Sequence, residues 1–143
     1  MWYGSTTAWD AGNGEMLHVI KHVASNDGHR WQRDGVAIPY SLGTAQAFSR
    51  PSVIGDQDTG YHMWFSYRGG AGSTYRIGYA YSLSGATWDL RLQETGIDVS
   101  PSGWDSEMIE YPCVFQHRDE RLMLYNGNGY GKTGFGIAVL TRE

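Results

Sequence analysis

Residues Phe48 to Gly96 read FSRPSVIGDQDTGYHMWFSYRGGAGSTYRIGYAYSLSGATWDLRLQETG. Runs rich in aromatic and β-branched residues alternate with clusters of Gly, Asp and Ser at intervals of roughly ten residues, a pattern typical of short strands joined by tight turns. No window shows the period of an amphipathic helix. The predicted strands are Phe48–Ile54, Tyr61–Tyr67, Tyr75–Ser82 and Thr87–Gln93. Four antiparallel strands in sequence order form the unit of a β-propeller.

Similar segments recur about 60 residues apart, which indicates an internal repeat. The recurring segments are WYGS (2–5), WFSY (64–67) and LYNG (124–127); SNDGHRW (25–31) and SLSGATW (82–88); SRPSVI (49–54) and EYPCVF (110–115). We therefore predict an all-β fold of about two and a half antiparallel, propeller-like blades. The chain would form a single partial domain with an incomplete blade at 1–36, a complete blade at 48–96 and an incomplete blade at 108–143.

Two and a half blades do not close a ring. A closed propeller has at least four blades, and folded proteins cover the exposed edges of their sheets. We therefore expect the ring to be completed by oligomerisation, and a homodimer with a twofold axis is the favoured assembly.

Composition and charge exclude several classes of function. The net charge is −4 and no basic stripe is visible, which argues against a nucleic-acid partner. The segment MWYGSTTAWD has no signal-peptide pattern, and no apolar run reaches membrane-spanning length, so we expect a cytoplasmic protein without a membrane partner. The single cysteine, Cys113, lies in an apolar run and is expected to be a buried, inert thiol.

No metal or cofactor is expected. The five histidines lack the spacing of metal ligands. Gly129, Gly131 and Gly134 match a dinucleotide-binding pattern, but that pattern needs a following helix, whereas FGIAVL (135–140) is predicted to be a strand. We interpret residues 127–134 as a glycine-rich hairpin that presents Tyr130 and Lys132.

The strongest functional candidate is SGWDSEMIEYP (102–112), which leads into the first strand of the third unit. Carboxylates hydrogen-bond sugar hydroxyls or exchange protons, aromatic rings stack on sugars, and glycoside hydrolysis uses two carboxyl groups. A structural role is equally compatible with the sequence: Asp105 and Ser106 would cap a turn, and Glu110 would pair with Arg50. The candidate catalytic residues are Glu110 and Asp105. The candidate ligand-binding residues are Arg50, Tyr67, Arg68, Trp104, Glu107, Tyr111, Asn126 and Tyr130.

Several sequence motifs in the chain are similar to motifs of one family of enzymes. They are SRP (49–51), YHMWFSYR (61–68), YRIGYAYS (75–82), WDSEMIEYP (104–112) and LYNGNGYGKTGFG (124–136). In these motifs the chain resembles the five-bladed β-propeller glycosidases of the arabinanase and invertase superfamily. The resemblance is closest to an uncharacterised bacterial branch associated with surface-polysaccharide genes, of which this chain would be the C-terminal half.

The resemblance implies a carbohydrate-active protein in which Glu110, in the motif Glu110-Tyr111-Pro112, is the general acid. An Asp that tunes the other carboxyl group is expected between Arg50 and Pro51, but these two residues are adjacent here. The acid that the family carries in its first blade has no counterpart in this chain. Two functions therefore stay open: a glycoside hydrolase, and a non-catalytic carbohydrate-binding or oligomeric assembly module.

Overall fold

The computed structural model describes residues 1–56 and 58–141, with Asp56 described by its backbone alone, and it confirms the all-β prediction. The strands in this part of the chain are β1 (Trp2–Ala8), β2 (Leu17–Ala24), β3 (Gln32–Ile38), β4 (Ala47–Asp56), β5 (Gly60–Arg68), β6 (Arg76–Ser82), β7 (Asp89–Leu90), β8 (Glu110–His117), β9 (Glu120–Asn126) and β10 (Phe135–Leu140). A 3₁₀ turn covers Leu92–Glu94, and a tight turn that we label α1 covers Asn128–Gly131, in which Gly129 and Tyr130 have the positive φ of left-handed backbone.

The strands pair with their neighbours in sequence. Antiparallel pairing joins β1 to β2 and β2 to β3, then β4 through β7 in order, then β8 through β10. A parallel bridge between His18 and Ala47 connects the first group to the second. The three groups follow the order of the three predicted units. Their boundaries as blades of one partial domain stay a prediction.

The second group is buried on both faces. On β5, Met63 and Phe65 pack with Phe48 and Ile20 in one apolar cluster. Trp64, which points to the opposite face of the strand, joins a second cluster. That cluster also contains Ile77, Ile109, Val114, Met123 and Tyr125. Sheets stacked on both faces of the central group are the arrangement of successive propeller blades.

Strands β4 and β8 contain the same irregularity. The register shifts between Ser49 and Ser52 on β4, and between Glu110 and Cys113 on β8. At each shift a residue with positive φ precedes a proline: Arg50 has φ 46° and Tyr111 has φ 56°. Proline has no N–H to give to the strand ladder, so it fits at a bulge, and a bulge redirects the neighbouring side chain. Arg50 and Tyr111 therefore occupy equivalent bulge positions.

The end of the second unit differs from the prediction. The predicted fourth strand, Thr87–Gln93, is too long: β7 has two residues. Arg91 bonds Asp89 at 2.7 Å and Glu94 at 3.3 Å, which fits a chain that turns back here rather than running on as a strand. In the turn before β7, the Trp88 indole is buried and donates to the carbonyl oxygen of Gly85.

Two surface features complete the fold. Cys113 is exposed, so the prediction of a buried thiol is wrong; the strand turns Val114 inward after the bulge and leaves Cys113 and Phe115 on the outside. Strand β10 exposes Phe135, Ile137 and Val139 by 75%, 57% and 49%, and the three alternate along one face. No helix in the described ranges has the length and apolar character that crossing a membrane requires.

Candidate functional site

Loops and strand ends from different strand groups lie close together at one end of the sheets. Gly70 donates its N–H to the Gly43 carbonyl at 3.2 Å, and the Tyr75 and Tyr130 rings lie 6.2 Å apart. This end carries a group of charged and aromatic side chains that we call the Glu110 cluster. Its members are Glu15, Arg50, Arg68, Tyr75, Glu110, Tyr111 and Tyr130.

Glu110 is the central residue of the cluster. Its side chain has no exposed area, and neither carboxyl oxygen has a hydrogen-bond partner among the described residues. Burial raises the pKa of Glu110 from 4.5 to about 7, although the nearby charges of Arg50 and Arg68 act to lower it. The carboxyl group is therefore an acid that can hold or release a proton near neutral pH.

Arg50 does not form the predicted ion pair with Glu110. Its guanidinium carbon lies 4.2 Å from the centroid of the Tyr111 ring, a cation–π contact between the two bulge residues. The Tyr111 backbone N–H donates to the Ser66 hydroxyl at 2.7 Å, which ties the second bulge to strand β5. The alternative in which Glu110 pairs with Arg50 as part of the scaffold is thus wrong, because the bulges direct Arg50 onto the aromatic ring.

Arg68 has a carboxylate partner of its own. Its Nη2 and Nε atoms lie 3.0 Å and 2.9 Å from the two carboxyl oxygens of Glu15, which is almost fully buried. The guanidinium carbon also lies 4.9 Å from the centroid of the Tyr75 ring. The positive charge of Arg68 acts to lower the pKa values of both Glu110 and His18. Arg68 therefore couples residues of the first and third strand groups electrostatically.

The tyrosines provide the aromatic part of the cluster. Burial raises the pKa values of Tyr75 and Tyr111, so both phenols are neutral hydrogen-bond donors at ordinary pH. Tyr130 is half exposed and has φ 63°. Its carbonyl oxygen accepts from the Asn126 side-chain amide at 3.3 Å, and Asn126 lies opposite Glu110 in the β8–β9 register.

Asn128 fixes the segment that leads into Glu110. Its Oδ1 accepts the N–H groups of Glu107 and Met108 at 2.8 Å and 3.1 Å, and its Nδ2 donates to the Gly103 carbonyl at 3.1 Å. The loop from 103 to 108 is thereby held against α1. Asn128 is a positioning residue of the site.

Four predicted site residues lie outside the cluster. Asp105 is buried and its Oδ2 accepts the hydroxyl of Tyr125 at 3.1 Å, while the Trp104 ring stacks on Tyr125 with centroids 5.5 Å apart. Glu107 is exposed. Tyr67 lines an open cavity of about 500 Å³ together with Arg76 and Asp98. Of the predicted residues, Glu110, Arg50, Arg68, Tyr111 and Tyr130 belong to the cluster, and Asn126 lies beside it, opposite Glu110 and bonded to the Tyr130 carbonyl.

The sequence interpretation missed Glu15, His18, Tyr75 and Asn128. Glu15 stands outside every quoted motif, and its role depends on a partner 53 residues away. His18 Nε2 is buried without a hydrogen-bond partner in the described ranges, and burial lowers its pKa. No cluster of three or more His, Cys, Asp or Glu residues suited to a metal ion occurs in residues 1–56 and 58–141.

Comparison with solved structures supports the propeller-type fold. One neighbour, a glycoside hydrolase, matches 99% of this chain and 41% of its own chain with a TM-score of 0.74 at 14% identity. A second, the GH32 beta-fructofuranosidase of Bombyx mori in a complex with sucrose, matches 96% of this chain and 30% of its own with a TM-score of 0.65 at 14% identity. At this identity the likeness establishes the fold alone.

Comparison with curated sequences finds two uncharacterised proteins of Mycobacterium tuberculosis, from strains CDC 1551 / Oshkosh and ATCC 25618 / H37Rv. Each is 51% identical over 141 residues. The match covers 98% of this chain but 46% of each relative, so the chain spans about half their length. No family model matches the sequence.

Proposed function

We propose that this chain is part of a carbohydrate-active propeller and that its ligand binds at the Glu110 cluster. The observation that carries the proposal is the buried, unpartnered carboxyl group of Glu110, set beside two guanidinium groups and three tyrosine rings. Unpartnered buried carboxyl groups are costly, so their retention is typical of functional sites. Sugars offer the hydroxyl groups and ring faces that such a site would bind.

As an enzyme, the protein would use Glu110 as a general acid. A carboxyl group with a pKa of about 7 still holds a proton near neutral pH, so it can donate that proton to a glycosidic oxygen. It can then take up another proton from water for the next reaction. Glycoside hydrolysis needs a second carboxyl group roughly 5–10 Å away. Glu15 is the best candidate, because it shares Arg68 with Glu110, whereas Asp105 is bound to Tyr125.

The alternative is a binding module without catalysis. It is favoured by the Glu15–Arg68 ion pair, because Glu15 accepts a hydrogen bond from Arg68 through Oε1 and serves as the counter-ion of the guanidinium group, which makes it a poor base or nucleophile. In this case Glu110 would donate a hydrogen bond to the ligand but would not transfer its proton.

A panel of aryl glycosides, assayed for both release of the aryl group and binding, separates the two functions. A hydrolase releases the aryl group, and Glu110→Gln lowers kcat by about 100-fold or more. A binding module binds glycosides without turnover in either protein. Glu107→Gln is the matched control, since this exposed carboxylate lies outside the cluster. Absence of both binding and hydrolysis would contradict the proposal.

We also propose that a second copy of the chain covers the exposed apolar face of β10. This proposal is supported by the alternating exposure of Phe135, Ile137 and Val139, and by the propeller neighbour, of which the chain matches less than half. An open, apolar edge strand is a pairing surface that folded proteins cover. The mass in solution, measured by light scattering, should be that of a dimer, and Ile137→Lys should yield monomers. A wild-type monomer at micromolar concentration would contradict this assembly.

A further inference from the structure

We propose that the sugar bound at the Glu110 cluster is acidic, and that Arg50 receives its carboxylate. The inference rests on the proposed function, because it names the substrate class of that same site. It depends on how the charges of the cluster are matched, and on the shape of the bulge that carries Arg50.

The cluster contains one unmatched positive charge. The charge of Arg68 is matched by Glu15, which it contacts through two nitrogen atoms. Arg50 is exposed and lies over the Tyr111 ring, and no carboxylate of the described residues lies within ion-pair distance of it. The chain as a whole carries a charge of −4, so this local positive excess opposes the net charge of the protein.

Glu110 does not neutralise Arg50 while it holds its proton. Burial keeps the carboxyl group largely protonated below neutral pH, despite both nearby arginines. A negative charge placed against Arg50 would further favour the protonated form, because two like charges disfavour each other. An acidic ligand and a proton on Glu110 therefore support each other, and binding should be tighter at lower pH.

The single unbalanced positive charge of Arg50 indicates which acidic group the ligand carries. One unmatched guanidinium group is balanced by one carboxylate, whereas a phosphate monoester would bring about −1.5 to −2 charges. Arg50 is exposed, and its guanidinium carbon lies 4.2 Å from the centroid of the Tyr111 ring, so an N–H edge of the group remains available to a ligand. That planar edge can donate two parallel hydrogen bonds to a carboxylate. Because the bulge backbone and Pro51 fix the position of Arg50, this pair of N–H donors is partly preorganised for binding.

Matched methyl glycosides test the inference. Methyl glucuronide and methyl galacturonide are titrated beside methyl glucoside and methyl galactoside, with protein-observed NMR at pH 6 and pH 8. Glucose 6-sulfate tests a different anion. We expect the uronides to bind at least about tenfold more tightly than their neutral counterparts at pH 6, with a smaller difference at pH 8.

Three variants locate the effect. Arg50→Gln should remove the preference for uronides. Arg50→Lys should keep part of it, because lysine keeps the positive charge but cannot donate two parallel hydrogen bonds to one carboxylate. Arg33→Gln on the exposed strand β3 is the matched control and should bind as the wild type does. Circular dichroism establishes that each variant is folded.

Each outcome decides between the proposals. Equal binding of acidic and neutral glycosides, or a preference for the sulfate, overturns the assignment of a carboxylate and leaves the proposed function standing. A uronide preference that survives Arg50→Gln overturns the role of Arg50. If no glycoside of either class binds, both this inference and the proposed function fail.

Discussion

Ionisation of Glu110 should destabilise the folded chain, and the size of the effect follows from its pKa. The carboxyl group is fully buried, and its pKa is raised from 4.5 to about 7. One pKa unit corresponds to about 1.4 kcal/mol, so the shift is linked to about 3 kcal/mol of unfolding free energy. This is a large part of the stability of an ordinary small domain.

The direction of the effect is fixed by linkage. In the folded state Glu110 holds its proton more tightly than in the unfolded state, so its contribution to stability is full below pH 4.5. The contribution decreases as the pH rises and is lost once the pH passes through about 7. Above pH 8 the folded chain must bury a charged carboxylate whose oxygens have no hydrogen-bond donor among the described residues.

The assay compares wild type with Glu110→Gln by urea denaturation between pH 4.5 and pH 8.5. Gln is similar in shape but does not titrate, so the difference between the two proteins isolates Glu110. The comparison is needed because His18 and His62 have pKa values lowered mainly by burial, and their contributions are lost as the pH falls. Those contributions cancel in the difference.

The wild type should lose about 3 kcal/mol relative to Glu110→Gln across this range. Glu107→Gln, which alters an exposed carboxylate on the same segment, should show no such trend. A difference that is flat with pH would refute the reasoning, since Glu110 would then titrate alike in the folded and unfolded chains. A difference of the opposite sign would mean that Glu110 is ionised and paired.

Three shorter predictions concern the surroundings of the site. Asn128→Ala should lower the unfolding free energy by about 1–3 kcal/mol in urea denaturation, because the N–H groups of Glu107 and Met108 lose their acceptor; an unchanged midpoint would contradict this. Gly127→Ala should cost about 1–3 kcal/mol, because a Cβ there would collide with Trp104, whereas Gly70→Ala, with 3.8 Å to its nearest neighbours, should cost little. The exposed Cys113 should react with a thiol reagent in the native protein as fast as in urea, and strong native-state protection would contradict its exposure.

The sequence predicts the strands well because each is a local pattern. Aromatic and β-branched runs bounded by glycines specify β4, β5 and β6 within one or two residues of their observed ends. The pattern fails at Thr87–Gln93, where the contacts of Arg91 with Asp89 and Glu94 belong to a turn. These contacts are polar and depend on conformation, so hydrophobic alternation does not reveal them.

The sequence predicts only part of the site. Glu110, Arg50 and Tyr111 stand in repeated motifs beside prolines, and the motif locates all three. Glu15 and Tyr75 become part of the site through Arg68, and that contact depends on how one strand group packs on the next. Asp105 and Trp104 are predicted from the residue types of the segment that leads into β8, and in the structure both contact Tyr125. Residue type indicates the chemistry, but side-chain direction at a bulge decides which groups meet.

The Glu110 cluster draws on all three strand groups of a single chain. Glu15 precedes β2, Arg50 and Arg68 lie on β4 and β5, and Glu110 and Tyr111 lie on β8. The exposed apolar face of β10 is a separate feature, since none of its residues contributes to the cluster. Site and assembly should therefore be separable: a monomeric Ile137→Lys variant should keep the pH-dependent stability difference of about 3 kcal/mol on Glu110→Gln substitution. Loss of that difference in the monomer, measured by the same urea titrations, would mean that a second copy is needed to bury Glu110.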